Sequence, residues 1–345
     1  MNDNDWWLLF FTAKQKRRPA VIRQLLTKRL SSSTLFWGLR YQLLEIIGFF
    51  PKLEASTFDQ GIQKLVEQGF LSQDPDDTVK LTERGRSKKQ ELLTGPTLGA
   101  PRFFCEHRVT EINQMLKLIV QVASEASYGN SRYYVAVDNF ECQQMIKQWL
   151  HQYDLQTLHK NILLELKSFL ENESPQKAWI FCAQFSGHQV LPKTVAQMAQ
   201  QTGLTTLEIK IILLDLTSRF ASHLLQKNSL LAPMIKHFEN QNVLFKKSRQ
   251  ALQLFLNGKS IQQIAQYNAV KESTVREYLL NAAILERDFP FASFFTDQEE
   301  ELLTARLPAD IDQWSYRELM SEQVQVSFFN YRLVAIKRSH EEFGQ

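Results

Sequence analysis

Cationic and hydroxyl side chains follow one another closely near position 271. A lysine or arginine side chain can pair with a phosphate or with the acceptor atoms of guanine, and a serine or threonine hydroxyl can contact a phosphate. Glu272 and Glu277 lie among them and cancel part of the positive charge. The pattern nevertheless predicts a nucleic-acid contact. Its members are Lys271, Ser273, Thr274 and Arg276.

The stretch 248–281 predicts the three helices that must position these side chains. Apolar residues at helical spacing indicate a first helix that Gly258 ends and a short second helix that Ser260 caps. A turn at 268–270 follows, and Ser273 opens a third helix. In a helix-turn-helix, the N-terminal residues of the third helix reach the major groove of DNA. The residues expected to face the core are Ala251, Leu252, Phe255, Ile261, Ile264, Ala265, Val275, Tyr278 and Leu279.

Charge is distributed unevenly around this motif. Residues 246–290 carry seven Lys and Arg against four Asp and Glu, whereas the whole chain carries 40 against 37. Residues 291–322 carry eight Asp and Glu against Arg306 and Arg317. An acidic stretch of this kind is typical of a solvated face, with a surface for a basic partner as the alternative.

Residues 55–93 predict a second unit that resembles a winged helix. Phe58, Ile62 and Leu65 share one face of a helix, and Gly69 is placed to end it. The turn-forming residues 74–77 then predict a two-stranded hairpin, and another helix follows. The helix before the hairpin has two acids opposing one lysine, so docking to a protein is favoured over DNA reading, which stays open.

The rest of the chain is predicted to be mainly α-helical. One long helix is expected over 33–50, and the segment 324–333 is expected to be β-rich or mixed. The glycine- and proline-containing stretch 94–101 is typical of a linker. The expected domains are a winged-helix-like unit at 1–93, the linker at 94–101, a central helical domain at 102–242 and a helix-turn-helix domain at 243–345.

No sequence pattern supports catalysis. Gly258-Lys259-Ser260 lacks the preceding glycine of a phosphate-binding loop, since Gln253 occupies that position. The histidines are scattered, and the cysteines do not have the spacing of metal ligands. We therefore expect no enzyme activity, no cofactor and no bound metal. The three cysteines are Cys105, Cys142 and Cys182.

The N-terminal apolar run 6–11 is too short to span a bilayer. Basic residues follow it, whereas a signal peptide carries them before its apolar run. We expect the run to be buried in a core, with an exposed partner-binding patch as the alternative. No membrane association is expected, and unpaired cysteines are typical of a reduced, cytoplasmic location.

Several groups of residues carry a resemblance to a known family. In the N-terminal half they are the aromatic start, Arg17-Arg18 with Leu25-Leu26, Phe49-Phe50-Pro51 and the segment 58–71. Residues 247–338 resemble the helicase helix-turn-helix domain, and the chain as a whole resembles the YpbB-like proteins, which lack a helicase motor. The C-terminal residues that carry the match are Ala251, Leu252, Phe255, Gly258, Lys259, Ser260, Ile261, Ile264, Ala265, Lys271, Ser273, Thr274, Val275, Leu279, Trp314-Ser315-Tyr316 and Ser327-Phe328-Phe329-Asn330-Tyr331.

The resemblance implies a non-catalytic accessory factor for a RecQ-like DNA helicase in bacterial replication or repair, located in the cytoplasm at the nucleoid. Its expected partners are that helicase, DNA and other replication or repair proteins. Two alternatives stay open: a stand-alone helix-turn-helix regulator, and a protein-only scaffold without DNA contact. A regulator usually binds as a dimer to matched half-sites, and no heptad zipper is present to supply one.

Overall fold

Helices make up most of the computed structural model, which describes residues 3–93, 99, 103, 106–151, 155–239, 243–286, 288–321 and 326–344. The mainly helical class predicted from the sequence is confirmed. Two compact units are present, one formed by Met1–Pro19 with Lys52–Asn240 and the other by Ala20–Pro51 with Gln241–Gln345. Each unit therefore combines two separate stretches of sequence.

The elements of the first unit follow the chain in this order after a 3-10 helix at Asp3–Phe10: α3 (Ala55–Glu67), β1 (Leu71–Gln73), β2 (Val79–Leu81), α4 (Glu83–Leu93), α5 (Val109–Ser127), α6 (Phe140–Leu150), α7 (Leu155–Leu170), α8 (Pro175–Ala183), α9 (Val195–Thr202), α10 (Thr206–Gln226) and α11 (Ala232–His237). Those of the second unit are α1 (Pro19–Leu26), α2 (Ser32–Arg40), α12 (Val243–Leu256), α13 (Ile261–Tyr267), α14 (Glu272–Leu285), α15 (Asp297–Thr304), α16 (Tyr316–Ser321) and α17 (Phe328–Phe343).

The N-terminal aromatic run is buried in the first unit, as expected. Trp7 is 6% exposed and lies edge-on to Phe58 of α3, with their ring centroids 5.1 Å apart. Lys89 of α4 donates to the carbonyls of Leu9 and Phe11 at 2.9 and 2.8 Å, and burial lowers its pKa to about 8. These contacts fasten the 3-10 helix to α3 and α4.

The predicted hairpin is present in this unit. Strands β1 and β2 pair antiparallel, with Leu71 opposite Leu81. Arg17 forms an isolated antiparallel bridge to Val79 of β2, with backbone hydrogen bonds of 2.9 and 2.8 Å. Gly85 follows the hairpin where a Cβ would lie 2.0 Å from the carbonyl oxygen of Phe70, so a larger residue would clash there.

The second unit begins with α1 and α2 and continues with α12 to α17. The predicted length of the helix at 33–50 was wrong, because α2 ends at Arg40. Gln42 adopts a φ of +54°, in the left-handed region that a helix cannot continue through, and a 3-10 helix follows at Leu44–Ile46. Residues 20–51 therefore contribute two short α-helices and a 3-10 helix to this unit.

The β-rich expectation for 324–333 was also wrong over the described residues, because α17 begins at Phe328. Ser327 caps this helix by accepting from the backbone of Asn330 at 3.0 Å. The buried residues Phe329, Leu333 and Ile336 are spaced four and three apart, which is a helical period. Residues 324 and 325 lie outside the described residues.

The domain boundaries at 93, 101 and 242 stay predictions. Most of the expected linker 94–101 lies outside the described residues, with Gly99 described. The two-unit division places residues 20–51 with the C-terminal stretch.

Candidate nucleic-acid interface

The second helix of the predicted motif, α13, begins where the sequence places it. Ser260 accepts from the backbone of Gln263 at 3.2 Å, and the Gln263 side chain accepts from the backbone of Ser260 at 2.9 Å. Such a capping box satisfies two of the backbone donors left free at a helix start. Gly258, with a φ of +80°, makes the turn before it, so Gly258-Lys259-Ser260 is a connection between helices.

The turn between α13 and α14 contains a residue in a strained conformation. Ala269 is exposed and has a φ of +52°, where residues with a Cβ are disfavoured. The next residue, Val270, donates its backbone N–H to the carbonyl of Ala265 at 3.0 Å. The sequence predicted the turn but not its left-handed residue.

Helix α14 begins one residue before the predicted opening position. Lys271 is its N-cap and Glu272 its first residue, and no side chain caps the helix. Val275 and Leu279 are fully buried and Tyr278 is half-buried, as the spacing predicted. The buried pair fixes which face of α14 meets solvent.

The structure brings all four predicted site residues to the N-terminal end of α14. Their exposure differs, since Lys271 and Ser273 are exposed whereas Thr274 and Arg276 are half-buried. Arg276 Nη2 lies 3.0 Å from Glu272 Oε2, and both side chains remain partly exposed, at 42% and 45%. This ion pair holds Arg276 against its own helix and takes up part of the charge predicted for DNA.

Two further cations of this domain lie over tyrosine rings. Lys247 of α12 has its ammonium 5.9 Å from the ring centroid of Tyr278. Lys259 lies 6.0 Å from the ring of Tyr267, which is 64% exposed. The sequence offered a signal for both in the excess of basic residues over 246–290, but it did not show which ring each one meets.

The first unit has a less basic candidate surface. The exposed face of α3, the helix before the hairpin, carries Lys64 together with Asp59 and Glu67. Docking to a protein therefore stays the prediction for this unit.

The described residues contain no group of three or more His, Cys, Asp or Glu that could hold a metal ion. Within the described ranges, none of the helices has both the length and the apolar character needed to cross a membrane.

Comparison with known proteins agrees with this geometry. The chain is 20% identical over 329 residues to Protein YpbB of Bacillus subtilis (strain 168), an alignment that covers 94% of this chain and 93% of the relative. No solved structure matches the chain. Residues 247–335 match the family described as a helix-turn-helix domain. The C-terminal region is therefore a helix-turn-helix domain, and this domain points to DNA binding.

Proposed function

We propose that this protein is a non-catalytic, DNA-binding accessory factor for a RecQ-like helicase in replication or repair. The observation that carries the DNA part is the helix-turn-helix at 260–285, which exposes Lys271 and Ser273 at the start of α14. The helicase part rests on the resemblance of the chain to the YpbB-like proteins. The likeness to Protein YpbB along 94% of the chain supports that resemblance.

The proposed mechanism is positional. The helix-turn-helix domain contacts the DNA backbone and groove, and another surface of the chain holds the motor. Two weak contacts joined in one chain raise the local concentration of the motor on its substrate. The α3 face in the first unit is the surface we assign to protein docking, because its charge does not favour phosphate.

Fluorescence anisotropy on a labelled forked DNA tests the DNA part, with the full chain at about 50 and about 200 mM salt. We expect binding that falls steeply with salt. The double variant Lys271→Glu, Arg276→Glu should weaken it without unfolding the protein, whereas Arg306→Glu removes one cation from the acidic stretch of the same unit and serves as the control. Unchanged affinity in the double variant would show that the DNA surface lies elsewhere.

Co-purification with a RecQ-like helicase tests the partner. We expect the two proteins to remain together after nuclease treatment, since the motor contact is assigned to a protein surface. Loss of the complex after nuclease would mean that DNA alone joins them. A dimer that binds a palindromic site and ignores the helicase would favour the regulator instead.

A further inference from the structure

Arg332 occupies an unusual setting in the second turn of α17. The carbon of its guanidinium lies 4.1 Å from the ring centroid of Phe36 on α2. It also lies 5.3 Å from the ring of Phe328 and 5.9 Å from that of Tyr331. Three aromatic rings of the second unit thus hold one guanidinium in place.

Among the described residues, no acid pairs with this cation. Within the described part of the chain, Arg332 has neither a hydrogen bond nor an ion pair. Burial lowers the pKa of Arg332, the direction expected when a cation loses water and gains no carboxylate. Arg40 of the same unit provides the contrast, since it pairs with Asp312 and Glu342 at 2.6 and 2.5 Å.

The N–H groups of Arg332 are still reachable from solvent. Its nitrogens have no hydrogen-bond partner within the described residues. They are nevertheless not among the fully buried polar atoms, so solvent reaches them. The contact with the Phe36 ring restricts the guanidinium, so binding an anion costs the side chain less of its freedom. A phosphate or a carboxylate is the chemical class that such a fork binds.

An exposed aromatic ring lies beside this cation. Phe328 is 46% exposed, and Tyr316 supports it edge-on with the ring centroids 5.2 Å apart. The first turn of α17 contains no acidic residue, whereas the first turn of α15 contains Asp297, Glu299 and Glu300. The surface therefore combines a partly exposed aromatic ring with a cation that has no acidic partner among the described residues, the two parts from which single-stranded nucleic-acid sites are built.

We infer that Arg332 and Phe328 form a binding site for single-stranded DNA, in which the guanidinium pairs with a backbone phosphate and a base stacks on Phe328. This inference rests on the proposed DNA-binding function and adds a second contact of a different kind. It shares no residue with the α14 surface.

The aromatic core connects the two contacts. Phe329, next to the proposed stacking residue, lies 5.7 Å from Phe294, which in turn stacks on Phe255 of α12 at 4.4 Å. Phe255 precedes the Gly258 turn that leads into the helix-turn-helix. One unit thus carries a duplex-type surface and a single-strand surface, a combination suited to a junction between the two.

Anisotropy of the full chain on a labelled oligothymidine of about 15 nucleotides tests the inference, because that length spans a single-strand site. We expect Arg332→Gln and Phe328→Ala each to weaken binding about tenfold, within the range measured for one base stack. Arg317→Gln is the matched control, since Arg317 is an exposed arginine of the preceding helix. Its affinity should stay within about twofold of the parent, as for a peripheral charge.

A measurement on the unaltered protein guards against variants that fail to fold. An oligonucleotide of the same length with abasic sugars keeps the phosphates and lacks the bases, so we expect it to bind about tenfold more weakly. Equal binding of the abasic strand overturns the stacking contact. Folded Arg332 and Phe328 variants that bind like the Arg317 control overturn the site itself.

The outcome is separable from that of the proposed function. Lys271→Glu with Arg276→Glu should weaken duplex binding and leave oligothymidine binding in place, whereas Arg332→Gln should do the reverse. If the protein binds duplex and fork but no single strand, the second site is overturned and the proposed function stands. If the protein binds an oligoglutamate peptide and not oligothymidine, the single-strand site is likewise overturned. Arg332 would then be a carboxylate-binding residue.

Discussion

Arg40 and Asp312 are joined by a hydrogen bond of 2.6 Å between Nε and Oδ1, although 272 residues separate them in sequence. The Arg40 side chain is 3% exposed, and its Nη1 also reaches Glu342 Oε2 at 2.5 Å and Ser339 Oγ at 3.3 Å. One buried guanidinium therefore links α2 to a 3-10 helix at Ile311–Gln313 and to α17. This link is one of the contacts within the unit that joins residues 20–51 to the helix-turn-helix.

Replacing Arg40 by alanine should destabilise this unit. The change strands two carboxylates that are partly exposed and can regain some water, so we expect a loss of about 2–4 kcal/mol in the free energy of unfolding. Urea unfolding followed by circular dichroism measures it. Arg29→Ala, an exposed arginine of the same unit, should change stability by less than about 0.5 kcal/mol. An equal loss of stability in both variants would mean that removing a positive charge, and not breaking the Arg40 ion pairs, causes the destabilisation.

Ala269→Gly should stabilise the helix-turn-helix. The φ of +52° costs alanine about 1–2 kcal/mol, which glycine would avoid. Part of that stabilisation is lost, because glycine also makes the unfolded chain more flexible. We expect a net gain of about 0.5–1 kcal/mol, seen as a higher Tm. Ala282→Gly, at a buried position inside α14, should lower the Tm. A lower Tm for both would indicate that the turn is not strained.

Glu272→Gln should tighten DNA binding if α14 reads DNA as proposed. The substitution removes the 3.0 Å partner of Arg276 and one negative charge from the helix start. Exposed pairs of this kind contribute only about 0.3–0.5 kcal/mol, so the release costs little stability. Anisotropy at low salt should show an affinity about two- to fivefold higher, and Glu301→Gln on α15 is the control. A weaker complex would place Glu272 itself in the contact.

Asn281→Leu should raise the stability of the second unit. Asn281 is 1% exposed in the middle of α14, and within the described ranges neither its amide nitrogen nor its oxygen has a hydrogen-bond partner. Burying an unsatisfied amide costs about 1–3 kcal/mol, and leucine has the same branched side-chain shape without polar atoms. We expect a gain of about 1–2 kcal/mol by urea unfolding. A loss would reveal a polar role for this position, and Asn281→Asp, which buries a charge, should be worse than either.

His107 should make the first unit less stable in acid. Neither ring nitrogen has a hydrogen-bond partner among the residues that the structure describes. The ring stacks on Phe103 with centroids 3.9 Å apart, and burial lowers the pKa of the imidazole. The unfolded chain then binds the proton more readily, so stability is complete above about pH 6.5 and falls as the pH drops towards the lower folded value. The slope for this one proton is at most about 1.4 kcal/mol per pH unit.

The measurement compares Tm between about pH 7.5 and pH 5, on either side of the unfolded imidazole pKa. The drop should be smaller in His107→Phe than in the parent. Burial also lowers the pKa of His223, which contributes with the same sign in both proteins and cancels in the comparison. An equal drop in Tm in both proteins would show that the pKa of His107 is the same in the folded and the unfolded chain.

Local patterns were enough to predict the helix-turn-helix. Gly258 and Ser260 mark the ends of adjacent helices, and the apolar spacing of Ile264, Val275 and Leu279 fixes their inner faces. Caps and periodicity act over a few residues, so a single sequence carries them. The gathering of the four predicted site residues at one helix end follows from the same short-range information.

Contacts between distant residues decided the rest. The segment 324–333 was expected to be β-rich or mixed, but burial of Leu333 and Ile336 along one face is part of a helix, α17. By itself the sequence determined the helix-turn-helix, to within one residue of where its helices begin, and which apolar side chains of its last helix face inward. Only the tertiary structure decided that residues 20–51 join the unit of the helix-turn-helix and that Arg332 lies over Phe36 with no acid beside it among the described residues. Both depend on packing against residues hundreds of positions away.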